Sequence, residues 1–286
     1  MWIALAINAA MLAVGVVGGI LTGSLAVLAD AGHVLSDVGA IALALFAASL
    51  ASRPAGGRRT FGYQRSEVLA ALVNGLALVA VAVAIGIAAV GRFGDPPDID
   101  GAGVLALGAF GLAGNIAATV VLARGQREDV NLEGVLRHSV ADALGSLGVI
   151  VAGAVVLAGG SSVVDPIVGL LIAVLVLASS WRLISEPVDV LMEAAPPGLD
   201  PDQMGEAICS EEGVRSVHEL HVWTVTAGFG ALAAHVVVAR DSDGDLIRRR
   251  LEVLLHERFG IDHTTLQMEE EAGEALLQVE RAPRNP

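Results

Sequence analysis

Sulfur and positive charge are scarce in this sequence. Cysteine occurs once, as Cys209, and lysine occurs at none of the 286 positions. A single cysteine excludes an intrachain disulfide framework and a thiolate metal cluster. We interpret the lack of lysine as a compositional bias of the genome. Charged residues make up 17% of the chain and hydrophobic residues 54%, which is too little charge and too much apolar surface for a soluble domain of this length.

Most of the net charge lies at the C-terminal end. The formal net charge is -14, and the residues from Glu186 onward hold 20 acidic side chains against 8 arginines. An acidic tail argues against nucleic acid as a partner. Such a tail can attract cations, although solubility is the simpler reason for its charge. The split predicts two domains, a membrane domain over 1–185 and a soluble domain over 186–286.

Six apolar stretches before residue 185 are long enough to span a bilayer, which takes about 20 apolar residues. Turn and charge signals separate them, such as the Gly-Asp-Pro-Pro run at 94–97. The stretches are 2–21, 24–51, 67–91, 101–123, 132–158 and 163–184. The sequence therefore predicts an all-α transmembrane domain of six helices.

Arginine sets the predicted orientation of these helices. One side of the predicted bundle carries only Arg92, and the other carries Arg53, Arg58, Arg59, Arg65, Arg124, Arg127 and Arg182. By the positive-inside rule, the arginine-rich side and both chain termini are cytoplasmic. The chain begins inside an apolar run without a basic segment or an Ala-x-Ala cleavage site, so its start does not resemble a signal peptide. The sequence leaves open whether a short cytosolic segment precedes this apolar run.

The soluble tail predicts a small α+β domain. A helix over about 201–212 precedes two strand patterns, 217–226 and 231–239, and the Ala-Gly-Phe-Gly run between them is a hairpin signal. A second helix follows over about 244–258, and then a last strand over 263–268. This αββαβ order suits a ferredoxin-like sheet with helices on one face. The elements are short for an independent core, which favours association with another chain.

Ionisable side chains inside the predicted helices mark the candidate site, because such residues are costly at bilayer depth. His33 and Asp37 are four residues apart on the second helix, and His138 and Asp142 repeat this spacing on the fifth. Each pair therefore lies on one helix face. Facing each other, the two pairs offer the four nitrogen and oxygen ligands that tetrahedral zinc accepts. The simpler alternative is two buried His–Asp hydrogen bonds that hold helices together.

Further polar residues lie in the same helices. Asp30 sits one turn from His33, either as a metal ligand or proton carrier on the access path, or as a cap-like residue near the outer interface. We expect Asn8, Asn74 and Asn115 to make interhelical hydrogen bonds. We expect Ser36, Ser139 and Ser146 to serve ordinary helix packing.

Four separated segments, in order, closely resemble the cation diffusion facilitators: 23–37, 61–67, 131–146 and 218–223. The resemblance covers essentially the whole chain and is closest to bacterial zinc exporters of the zinc-transporter-like group. It implies a homodimer in the bacterial inner membrane, with a cytosolic ferredoxin-like domain and exchange of metal for protons. It also implies that His33, Asp37, His138 and Asp142 are the transport site.

The ligand types narrow the choice of metal. Manganese favours oxygen-rich sites, so the two histidines favour zinc, with cadmium, cobalt and nickel left open. By resemblance, His33 also points to zinc, since relatives with Asp at this place use zinc and cadmium more broadly. The chain departs from many relatives in two loops. Residues 124–131 contain no histidine, and residues 52–66 contain no His, Asp, Glu or Cys, which makes accessory metal sites there doubtful.

The resemblance implies a second, weaker metal site in the tail. It places His218 and His235, with Glu269 as a further candidate, where relatives bind a metal between two cytosolic domains. Gln267 stands where some relatives have another histidine, which weakens this regulatory site. The alternative is a set of solvated or strand-packed histidines. We expect His256 to be merely exposed.

Three other functions fit parts of the sequence. An intramembrane metal-dependent hydrolase would need a catalytic glutamate beside the metal, as in His-Glu-x-x-His, and no such motif occurs. The sequence therefore favours a protein that is not an enzyme. A metal sensor without transport would differ by the lack of metal uptake into vesicles. A manganese or iron carrier of the same fold would differ in metal competition.

Overall fold

In the computed structural model, the described residues are 2–125, 132–226 and 228–271, and the description of side chains leaves out 2–4, 121–125, 132–139 and 141. The chain divides into two compact units, Met1–Val188 and Asp189–Pro286. The first unit is helical, and the second combines helices with a sheet.

Six helices build the first unit. Their bounds are α1 Trp2–Thr22, α2 Leu25–Ala51, α3 Ser66–Arg92, α4 Gly101–Gly125, α5 Leu132–Leu157 and α6 Val164–Leu191. All but α5 are long and apolar enough to cross a membrane, and the described apolar part of α5, Asp142–Leu157, is shorter. The six predicted stretches are thereby confirmed as helices. Only α6 continues well past its stretch, because backbone hydrogen bonds can extend a helix beyond the point where apolar composition ends.

Glycines let α4 and α5 touch along their backbones. A Cβ atom added at Gly101 would lie 2.7 Å from the backbone nitrogen of Leu157. One added at Gly153 would lie 2.5 Å from that of Leu105, closer than real side chains come. Small residues permit this approach in membranes, where tight packing rather than the hydrophobic effect holds helices together. The contact fixes α5, which carries Asp142, against α4.

A polar contact joins α2 to α3 inside the bundle. The Asn74 side-chain amide donates to the Ser36 hydroxyl at 3.2 Å, and both residues are buried. On the outer surface of the unit, large apolar side chains are exposed instead, for example Leu21 at 79% and Ile87 at 71%. That distribution is the one expected of helices whose outer faces meet hydrocarbon rather than water.

The second unit has the αββαβ order that the sequence predicts. Its elements are α7 Pro201–Cys209, β1 Val214–Thr226, β2 Phe229–Val238, α8 Gly244–Phe259 and β3 His263–Glu270. Strand β2 is central, antiparallel to β1 and parallel to β3. The first helix ends earlier than the predicted residue 212, because Ser210 caps it and Gly213 turns the chain at a φ of 92°. Strand β2 begins earlier than predicted, at Phe229 rather than at residue 231.

Both helices of this unit pack on one face of the sheet. Alternate residues of β2, including Leu232 and Val236, are fully buried with Ile208 of α7 and with Leu251 and Leu255 of α8. Because successive strand residues point to opposite faces, the intervening residues, His235 among them, lie on the other face. Helix packing thus leaves a histidine-bearing face of the sheet uncovered within the described part of this unit.

Candidate metal centres

The first candidate centre lies where α2 faces α5. The His33 Nε2 atom is 2.7 Å from the Asp142 Oδ1 atom, and the two side chains are only 19% and 12% exposed. This hydrogen bond joins residues 109 positions apart in sequence. It therefore depends on the two helices lying face to face, as the sequence predicts.

Asp37 completes a group of three candidate ligands. One ligand atom from each of His33, Asp37 and Asp142 lies within 4.8 Å of the others. Zinc takes ligands at about 2.0–2.2 Å, so small side-chain adjustments would bring all three onto one ion. The simpler alternative, in which buried His–Asp hydrogen bonds only hold helices together, also accounts for the bond between His33 and Asp142. That alternative does not account for a second carboxylate, Asp37, gathered at the same point.

The fourth predicted ligand, His138, belongs to α5, one turn before Asp142. Its side chain lies outside the described residues. The structure thus brings together three of the four predicted side chains and places the backbone of the fourth on the helix that carries Asp142.

Asp30 is not one of these three candidate ligands and lies in a niche between α2, α4 and α5. A Cβ atom at Gly145 would come 3.1 Å from its Oδ1 atom, and one at Gly111 would come 3.3 Å from its Oδ2 atom, so two glycines make room for the carboxylate. The Ser146 hydroxyl donates to Asp30 at 3.4 Å, and the Asn115 amide donates to Ser146 at 3.1 Å. The interhelical hydrogen bond expected of Asn115 is present, and Ser146 does more than fill space.

The second candidate centre lies on the uncovered face of the sheet. His218 on β1 is opposite His235 on β2, which is opposite Gln267 on β3. Glu269, two residues further along β3, bridges both imidazoles, at 3.1 Å from His218 Nε2 and 2.7 Å from His235 Nδ1. These hydrogen bonds lower the pKa of the Glu269 carboxyl below its usual value, and the bond from His235 has the largest effect. Two imidazoles and a carboxylate suit zinc, so the donor set fits the predicted regulatory metal.

Sequence reasoning missed one neighbour of this cluster, Glu219. The register of β1 shifts between His218 and His221, and Glu219 adopts a positive φ of 49° there. A bulge of this kind redirects a side chain, and the Glu219 Oε2 atom comes 3.5 Å from His235 Nε2. Gln267, in contrast, donates to Glu269 at 2.9 Å. His256 lies apart on α8, 63% exposed, beside Asp262.

Two family models match the chain. The cation efflux transmembrane domain matches residues 1–192, and the cytoplasmic domain of cation efflux proteins matches residues 196–271. The chain is 39% identical over 258 residues to a cadmium, cobalt and zinc/H(+)-K(+) antiporter of Bacillus velezensis, covering 88% of this chain and 82% of the relative. It is 38% identical over 268 residues to the zinc transporter ZitB of Escherichia coli, covering 93% and 85%.

A third relative is the metal cation efflux system protein CzcD of Cupriavidus metallidurans, 37% identical over 93% of this chain and 85% of that protein. The solved metal-bound C-terminal domain of a CzcD transporter is 32% identical and covers 25% of this chain and 99% of that domain. Its TM-score is 0.24, which is too low to support a structural comparison.

Proposed function

The chain belongs to the cation efflux family, and from this premise we propose that it exports divalent transition-metal cations, zinc foremost, in exchange for protons. It is an integral membrane protein whose family transports ions rather than catalysing reactions. The observation that carries the proposal is the meeting of His33, Asp37 and Asp142 across two membrane helices.

The transported ion binds between α2 and α5. His33 and Asp37 supply two ligands from α2, and His138 and Asp142 supply two from α5. A divalent ion at this point offsets the cost of holding two carboxylates at bilayer depth. The hydrogen bond of 2.7 Å between His33 and Asp142 holds the ligands close to each other before the ion arrives.

The ligand set determines which ions suit the site. Two imidazoles and two carboxylates in a tetrahedron favour zinc, and cobalt and cadmium accept similar donors, whereas manganese prefers oxygen-rich octahedral sites. The same three metals, zinc, cadmium and cobalt, occur in the names of the relatives. Zinc is therefore the first substrate to test.

Protons compete with the metal for the same atoms. A metal ion binds neutral imidazoles and ionised carboxylates, so its binding releases protons. Histidine changes its charge near neutral pH, which suits a ligand that must exchange a metal for a proton. In an alternating-access cycle, metal loads while the site faces the cytoplasm, and protons displace it while the site faces outside.

The tail dimerises and senses metal. Each chain pairs with a second copy, in keeping with the match to the cytoplasmic domain model of the family. Both termini are cytoplasmic, on the side where the arginine-rich loops lie. His218, His235 and Glu269 form a regulatory zinc site on the uncovered face of the sheet.

Metal flux across a pH gradient tests the proposal. The full chain is reconstituted into vesicles, and uptake of zinc, cadmium, cobalt, nickel, manganese and iron is measured with and without the gradient. We expect zinc uptake that is driven by the gradient and inhibited by cadmium and cobalt. Metal binding without uptake would favour a sensor, and uptake dominated by manganese or iron would favour another substrate class.

A further inference from the structure

Asp165 is a buried carboxylate that the proposed transport cycle does not use. It is the second residue of α6, it is 1% exposed, and it is the only charged residue among the described side chains that falls in the buried class. A charge at such a position is costly unless several groups compensate it. The residues that compensate Asp165 belong to other helices.

The carboxylate of Asp165 caps the start of α2. The Ser24 hydroxyl donates to its Oδ1 atom at 2.5 Å. The backbone N–H of Leu25 donates to the Asp165 Oδ2 atom at 2.7 Å, and that of Ala26 donates to the Oδ1 atom at 3.2 Å. The first N–H groups of a helix lack partners within the helix, and no water replaces those partners inside a bilayer. The Ser24 hydroxyl accepts from the N–H of Val27. Asp165 of α6 therefore caps the two preceding N–H groups, those of Leu25 and Ala26.

Helix α3 ends at the same point. Arg92, the last residue of α3, donates from Nη1 to the Gly23 carbonyl at 2.6 Å. The same Nη1 atom lies 3.8 Å from the Asp165 Oδ2 atom. The start of α2 also packs against α6 here: a Cβ atom at Gly169 would lie at van der Waals distance, 3.4 Å, from the Ala26 nitrogen. One carboxylate thus ties together the ends of α2, α3 and α6.

The contacts of Asp165 form a tether between α6 and the start of α2, and α2 is the helix that carries two transport ligands. His33 is eight residues after Leu25, which is about 12 Å along the helix axis. A helix transmits a shift or rotation of its first turn to side chains at that distance, because its hydrogen-bonded backbone is stiff. We propose that Asp165 is a positioning residue that holds α2 at the height and rotation where His33 and Asp37 meet Asp142. The inference rests on the proposed function of that site.

The test separates two roles of Asp165, which are linking α2 to α6 and capping the first N–H groups of α2. Asp165→Asn keeps the shape of the side chain but places an N–H donor against N–H donors. The double variant S24D/D165S exchanges the two partners, so a carboxylate at position 24 caps α2 and a hydroxyl at position 165 can still donate to it across the contact. The double variant S24D/D165A caps α2 but removes the link to α6. Exposed Asp95, in the loop after α3, gives the matched control Asp95→Ala.

The measurements are zinc affinity of the folded full-length protein in detergent, and KM and maximal rate of zinc flux in vesicles. We expect Asp165→Asn and S24D/D165A to raise both Kd and KM about tenfold or more, the usual effect of disturbing residues that orient metal ligands. S24D/D165S should restore both values towards those of the wild type, and Asp95→Ala should leave them unchanged.

Two outcomes would overturn the inference. Unchanged Kd and KM in Asp165→Asn, with only a lower yield of folded protein, would assign Asp165 a purely structural role. Restoration by S24D/D165A as fully as by S24D/D165S would mean that the cap alone matters. If the wild-type protein neither bound nor carried zinc, the proposed function would fail instead, so the two failures are distinguishable.

Discussion

At the scale of single residues, the proposed transport site depends on few atoms. His33 and Asp142 touch at 2.7 Å, and Asp37 lies in the same ligand group. The spacing of four residues in each pair predicts which helix face carries the ligands. It does not predict which carboxylate meets which imidazole. The structure pairs His33 with Asp142 of the opposite helix, because side chains that face each other across two helices can approach more closely than those one turn apart.

Removing a single imidazole should abolish transport. In His138→Ala or His33→Ala proteoliposomes, we expect zinc flux to fall to the background of empty vesicles, since a tetrahedral site that loses one of its protein ligands holds the ion poorly. His256→Ala, on the exposed face of α8, is the matched control and should transport normally. Undiminished flux in His138→Ala would contradict the assigned site.

Changing the ligand type should change the selectivity. We expect His33→Asp to raise cadmium flux relative to zinc flux, as the resemblance to relatives with Asp at this place implies. The measurement is flux of each metal alone and in competition at equal free concentration. An unaltered ratio, with both fluxes retained, would show that His33 does not discriminate between the metals.

In the tail, Glu269 should titrate abnormally. Hydrogen bonds from His235 and then His218 lower its folded-state pKa below the usual 4.5. The stability that this carboxylate contributes is therefore fully present above the unfolded-state pKa and is lost as pH falls through the lowered value. We expect the carboxyl carbon of Glu269 to titrate below 4.5 by NMR, and His235→Ala to raise its midpoint. A midpoint that His235→Ala leaves unmoved would rule out this cause.

At the scale of elements, the sequence predicted all six membrane helices and the αββαβ order of the tail. Apolar length suffices for the helices, since a bilayer demands it, and strand alternation with a glycine turn suffices for the hairpin. Element ends were less predictable. Residues 210–212 continue the helical pattern of α7, but capping by Ser210 and the turn at Gly213 end the helix at Cys209.

Backbone contact between α4 and α5 should tolerate no added methyl group. Gly153→Ala would place a Cβ atom 2.5 Å from the Leu105 nitrogen, so the helices must separate. We expect a loss of about 1–3 kcal/mol of stability, together with weaker zinc binding because Asp142 moves with α5. Gly91→Ala meets no atom within 4 Å and should be neutral or slightly stabilising. Thermal unfolding of the two purified variants would compare them, and equal melting temperatures would contradict the contact.

At the scale of the whole molecule, the uneven distribution of arginine sets the predicted orientation. Cys209, the single cysteine of the chain, is exposed in the second unit and can report it. We expect a membrane-impermeant thiol reagent to label Cys209 in inside-out vesicles and not in intact cells. In a Cys209→Ser background, Asp95→Cys should show the reverse pattern. Labelling of Cys209 from outside would invert the proposed orientation and with it the direction of transport.

The sequence by itself determined the six membrane helices, the order of the tail elements and the identity of the candidate ligands, because bilayer thickness, strand alternation and helix spacing are local requirements. The tertiary structure decided which side chains meet across helices. It paired His33 with Asp142, enclosed Asp30 between two glycines, and turned Glu219 towards His235 through a bulge. It also brought Asp165 to the start of α2. No local pattern encodes these contacts, since each depends on how separate elements pack against one another.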